Sequence, residues 1–194
     1  MKSFGVGSER GGNDLYRGLV IDSAGNLYGV TESGGANAGG ASGLGVIYKL
    51  TEGSAGWTET VMHNFTGRAD GATPYATPIL DATGNLHGAT NFGDAANLGT
   101  VYRLSPKSCG AWTLRVLHSF AGGSDGASPL TAGVIFDQQD NLYGATSGGG
   151  TAGYGIAYEL TPTPSGPWTE TILYTFLAVL AQDPSYPNGL ISLR

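Results

Sequence analysis

The sequence predicts an all-β chain made of β-propeller blades: three full four-stranded antiparallel repeats of about 56 residues, with a partial fourth divided between the two ends. Three observations carry this. The same motifs return three times in one fixed order, and Trp57, Trp112 and Trp168 mark the period, 55 and 56 residues apart. Apolar and polar residues alternate with a period of two inside each unit. No stretch of ten residues shows a convincing helical period.

Each unit opens on a hairpin. Strands a and b flank a Ser-Ala-Gly-Asn turn in Leu19-Val-Ile-Asp-Ser-Ala-Gly-Asn-Leu-Tyr-Gly29. The counterparts are Ile79-Leu-Asp-Ala-Thr-Gly-Asn-Leu-His-Gly88 and Val134-Ile-Phe-Asp-Gln-Gln-Asp-Asn-Leu-Tyr-Gly144. Glycine supplies the positive φ of such a turn, and the aspartate before it can accept bonds from the turn amides. Strand c follows as Gly45-Val-Ile-Tyr-Lys-Leu50, Gly99-Thr-Val-Tyr-Arg-Leu104 and Gly155-Ile-Ala-Tyr-Glu-Leu160, rich in β-branched and aromatic residues. Strand d runs from each tryptophan to Phe65, Phe120 or Phe176. In the first copy Trp57, Glu59, Val61, His63 and Phe65 share one face, and Thr58, Thr60, Met62 and Asn64 the other. The expected blades are about 18–65, 78–120 and 133–176, within a single repeat domain over 1–194. Phe4 aligns with the last residue of strand d, and 187–194 reads as the start of a further blade, with Ser192 where Asp22, Asp81 and Asp137 stand. A four-stranded sheet with apolar groups on both faces must stack on copies of itself, and radial stacking is the propeller solution. Three blades do not easily close a ring. The array is therefore a piece of a longer one, or two chains pair into a six-bladed ring, or its edges stay open and invite pairing.

Composition excludes several classes. Charged residues are 12% of the 194 positions, against ~25% in ordinary domains, so a solvated disordered segment or a charge-laced coiled coil does not fit. The net charge of −6 with nine Lys+Arg speaks against a nucleic-acid partner, which needs a basic face. No apolar run is long enough to span a membrane, and the first residues, Met1-Lys-Ser-Phe-Gly5, show no signal-peptide core. Cys109 has no second cysteine for a disulfide. The glycine-rich runs lack the Gly-Lys-Ser/Thr ending of a phosphate loop.

The motifs Asp-X-X-Gly-Asn-Leu-Tyr-Gly-X-Thr, Gly-X-X-Tyr-X-Leu-Thr, Trp-Thr-Glu-Thr-X-Leu-X-X-Phe and Gly-X-Asp-Gly-Ala-X-Pro, in that order, resemble the GloVer-type (Gloeo/Verruco) tandem repeat, from about Phe4 to Ser192. The resemblance implies a β-propeller-like bacterial protein, secreted or at the cell surface, with no established enzyme activity and no catalytic residues to carry over. The chain departs from it in lacking an export signal and in its apolar third d–a connection, Leu177-Ala-Val-Leu-Ala181.

Candidate sites follow from which loops share an end of the blade. With a innermost and d outermost, the b–c loops (33–43, 91–98, 147–154) and the d–a loops (68–74, 124–129) emerge together. They carry Arg68, Asp70, Asn91, Asp94, Asp125 and Tyr154, a polar, glycine-rich face suited to a saccharide or protein ligand. The competing reading is turn chemistry, since several of these residues recur at one repeat position. Asp22, Asp81 and Asp137 could ring the channel mouth and hold Ca²⁺ through oxygen ligands, or each could hold its own hairpin. His63 and His118 share one strand-d position and His87 replaces Tyr28 and Tyr143, which suggests packing rather than a metal or catalytic cluster. Tyr48, Tyr102, Tyr158 and the three tryptophans are the expected inter-blade core.

A functional site should break a repeat, because chemistry needs different groups in different roles. The two largest breaks, the longer loop at 34–43 and the apolar segment 177–181, carry no acid–base pair. The leading expectation is thus a non-enzymatic module with no cofactor, either an extracellular binding module for a saccharide or protein or a surface spacer, with a homodimer among the expected partners. The alternatives are a propeller lyase or lactonase with a divalent cation at the channel mouth, and a fragment of a longer repeat protein without separate activity.

Overall fold

A computed structural model gives the fold and describes residues 12–13, 18–36, 43–129, 133–164 and 168–177, with backbone only at 12, 13 and 109. The expectations placed on Phe4, on 187–194, on Cys109 and on most of 34–43 and 177–181 lie outside the described side chains. Strands dominate. Among the described residues the only helical elements are two 3-10 turns, and no helix is long and apolar enough to cross a membrane.

β1 (Gly12–Asn13) pairs with β4 (Ser33–Gly34) as a short ribbon. Around them, β2 (Val20–Ile21), β3 (Leu27–Thr31), β5 (Val46–Gly53) and β6 (Gly56–Asn64) form an antiparallel sheet in the order β2-β3-β5-β6. β8 (Ile79–Leu80), β9 (Leu86–Phe92), β10 (Thr100–Pro106) and β11 (Trp112–Ser119) repeat that order, and β7 (Ala72–Pro74) pairs with β9 beyond β8. β12 (Val134–Phe136), β13 (Leu142–Ala145), β14 (Ile156–Thr161) and β15 (Thr169–Thr175) make the third sheet. The three four-stranded units match the a–d pattern, and none closes on itself.

The turns form as their chemistry requires. Gly25 and Gly84 adopt φ of 81° and 82°, and in the third turn Asp140 takes the same place at φ 64°, a conformation aspartate tolerates better than most residues. Strand-b glycines have a different task. Gly29, Gly88 and Gly144 lie directly opposite Tyr48, Tyr102 and Tyr158 on the neighbouring strand. Each tyrosine ring crosses over its glycine, so that a Cβ on Gly88 would sit 2.5 Å from Tyr102 Oη. Room, not backbone conformation, selects glycine there.

The strict alternation expected of strand d is corrected by a bulge. Register slips between Ile47 and Tyr48, Val101 and Tyr102, and Ala157 and Tyr158, leaving Met62, Leu117 and Leu173 as extra residues on the d strands. A bulge sets two residues against one and re-aims the side chains beyond it. Leu117 is thereby buried, although it alternates with Val116 in the sequence.

The core divides into two clusters, each drawn from consecutive sheets. One joins Tyr28, Ile47 and Phe65 of the first repeat to Leu86, Tyr102 and Leu104 of the second. The other joins Val101, Leu117 and Phe120 of the second to Val134, Leu142 and Tyr158 of the third. The contacts repeat: Phe65 meets Tyr102 and Phe120 meets Tyr158 edge-on, at 5.5 and 5.3 Å. Likewise Trp112 meets Tyr28 and Trp168 meets His87. Positions without such a neighbour are exposed. Leu117 is 2% exposed but Leu173, its counterpart, 50%; Ile21 is 63% exposed although Leu80 and Phe136 are packed. Trp57 is 44% exposed, so it does not join the core in which Trp112 and Trp168 take part.

Candidate functional site

The three turn aspartates occupy three separate hairpins, each carboxylate taken up by its own turn. Asp22 accepts from the Ala24 and Asn26 amides, the Asn26 side chain and Tyr28 Oη at 2.7–2.9 Å. Asp137 accepts from Gln139, Asn141 and Tyr143 in the same pattern. Asp81 differs in its last partner, His87, whose Nε2 lies 3.1 Å away, and in accepting also from the Thr83 hydroxyl at 2.8 Å. Desolvation pushes all three carboxyls up, but the hydrogen bonds from Asn26, Asn85 and Asn141 and from the turn amides outweigh it and hold each below the ordinary range.

His87 is 2% exposed and sits edge-on to Phe136 at 4.8 Å. Burial lowers its pKa, and the Asp81 hydrogen bond offsets this only in part. The neutral ring is therefore the folded form. An unfolded histidine titrates near 6.5, so the folding stability from His87 is present above about pH 6.5 and is lost as pH falls below it. Replacement by the tyrosine found at 28 and 143 should flatten the melting-temperature profile between about pH 7 and 5; thermal melts across that range check the slope, whatever the absolute stability of the variant.

The d–a connectors clasp consecutive sheets. Between the first two, the Thr73 amide donates to Leu44 O at 2.9 Å, while Ala72 and Pro74 pair with Phe92 and Thr90. Between the next two, the Ser128 amide donates to Leu98 O at 2.8 Å and Ala127 bridges Gly148. Pro74 and Pro129 close over Gly45 and Gly99, whose missing Cβ atoms would lie 2.7 and 2.8 Å from the proline rings. The Gly-X-Asp-Gly-Ala-X-Pro motif is the clasp, and it brings the b–c and d–a loops to one end, as expected.

At that end Asp70 accepts from the Thr66 amide and hydroxyl and lies 3.0 Å from His63 Nε2. The Asp94 amide donates to Arg68 O, and Asp94 takes φ 67°. Asn91 is buried, and its Oδ1 has no hydrogen-bond partner. Tyr154 lies half-buried in the third b–c loop and Arg68 is exposed. These residues share an end but belong to different repeats.

One constellation does break the repeat. His118 Nε2 lies 3.0 Å from Asp125 Oδ1 and 3.7 Å from Glu170 Oε1. His118 comes from β11, Asp125 from the following connector and Glu170 from β15, so the group bridges the second and third sheets. Among the described residues it is the one group of three His, Cys, Asp or Glu with ligand atoms all within 4.8 Å. The histidines pack as expected, His63 and His118 lying edge-on to Phe65 and Phe120 at 4.9 and 4.8 Å, but each also faces a carboxylate. The available clue was the residue two beyond each tryptophan, Glu59, Leu114 and Glu170, which varies while its surroundings repeat.

No curated protein matches the chain, and no solved structure does. The family model of the Gloeobacter/Verrucomicrobia repeat matches residues 2–193. That span takes in every sheet, hairpin and clasp described above, and the chain belongs to the Gloeobacter/Verrucomicrobia repeat family.

Proposed function

We propose that the chain is a non-enzymatic, propeller-type repeat module that works by assembly: a second copy docks on its open faces and completes a six-bladed ring. The observation that carries this is the matched pair of open faces. Ile21 and Trp57 on the first sheet, and Ile172, Leu173 and Tyr174 on the last, are exposed, whereas most of their repeat counterparts pack between sheets. The chain joins these two kinds of face to each other twice internally, so a second copy offers each face its proper partner. Such head-to-tail contacts give a ring when the rotation closes. Light scattering tests it. A mass near twice 19.8 kDa is expected, falling to that of one chain in Ile21→Glu and Leu173→Glu. A single-chain mass at every concentration rejects assembly and leaves a spacer.

The loop end is the face for a saccharide or protein ligand in this reading. The unpartnered, buried Asn91 Oδ1 supports it, as a polar atom left for an outside donor. Binding on a glycan array or in a peptide pull-down, lost in Asn91→Ala, is the expected result.

A further inference from the structure

We propose that His118, Asp125 and Glu170 form a binding site for a divalent transition-metal ion of the zinc kind, pinning the second sheet to the third. Ligands about a tetrahedral ion with bonds of about 2.0–2.2 Å stand roughly 3–3.5 Å apart, and the separations of 3.0 and 3.7 Å already approach this. The donor set is one imidazole and two carboxylates, which suits zinc, manganese or iron better than calcium, an ion that takes oxygen ligands alone.

Two further observations point to a ligand. His118 Nε2 and Glu170 Oε1 are both buried atoms without a hydrogen-bond partner. At the same distance from its aspartate, His63 does make a hydrogen bond, so His118 is held close to its carboxylate yet not satisfied by it. Secondly, the first two sheets provide an internal control. His63 and Asp70 reproduce the His–Asp pair, but Leu114 stands where Glu170 supplies the third ligand. With three protein ligands, the remaining position is open to water.

The test is calorimetric titration of zinc chloride into the chelator-treated full chain, with manganese chloride as a second probe. One ion per chain is expected. Glu170→Leu, which copies the residue at 114, and Asp125→Asn should each bind at least about tenfold more weakly. His63→Tyr, which copies the residue at 174, should bind as the parent does, and each variant's far-ultraviolet dichroism checks its fold. Absence of saturable binding overturns the proposal. So does parental affinity in both Glu170→Leu and Asp125→Asn, or loss of binding in His63→Tyr alone.

Discussion

Replacing Gly88 with alanine should be among the most damaging single-methyl changes in this chain. The added Cβ would stand 2.5 Å from Tyr102 Oη and 2.7 Å from Cζ. Tyr102 has no room to retreat. It is fully buried, it lies edge-on to Phe65, and it anchors the cluster joining the first two sheets. Overpacking a tight core costs typically 1–3 kcal/mol, and a rigid ring trapped between sheets places this case at about 3 kcal/mol or more. For a chain of this size that lowers the melting temperature by roughly 6–12 °C. A double-mutant cycle isolates the cause. Tyr102→Val alone should destabilise by opening a cavity, but Gly88→Ala added to it should cost far less than in the parent. Additive costs in chemical denaturation would show that the ring and the glycine do not oppose each other.

The second large effect is expected at Asp81. Its carboxylate accepts from the Thr83 amide and hydroxyl, the Asn85 amide and side chain, and lies beside His87. Asp81→Ala leaves the Asn85 amide and buried His87 without their acceptor, and the loss of several charge-assisted bonds should cost about 3 kcal/mol. The pH profile carries a sharper signature. Because its folded pKa lies below the unfolded value, Asp81 contributes stability that is present above about pH 4 and lost as pH falls through the folded pKa. The parent should therefore lose stability steeply under acid, and Asp81→Ala should decline less steeply below about pH 4. Urea midpoints between pH 2 and 5 measure both slopes. Parallel curves would mean that the turn is held by the backbone alone.

What was legible in the sequence was what neighbouring residues decide among themselves. Asp-X-X-Gly-Asn is a complete hairpin instruction, since acceptor, donors and positive-φ residue lie within five positions, and the repeated Trp and Tyr gave the strand order. The bulge was not legible, because it depends on the register between strands c and d, and a period-two reading carries that register forward unbroken. The Gly88–Tyr102 crossing was hidden for the same reason: strand-b glycine looks like a turn residue until its cross-strand partner is known. The proposed ion site was the least visible. His118 and Asp125 read as repeat positions, and Glu170 is brought beside them only because the third sheet packs on the second. Trp57 shows the converse, an aromatic residue whose burial depends on a neighbour and not on its own strand.

The division of the core into two clusters, each spanning two consecutive repeats, bears on how such a chain can change length. Duplicating one unit of 55 or 56 residues inserts one new interface of a kind already present and disturbs none of the others. Folding free energy then grows by a near-constant increment per unit. Duplicating half a unit would instead set a tryptophan against the wrong strand and break a clasp. Variation in this family should therefore come in whole repeats, and the same two terminal faces should recur whatever their number.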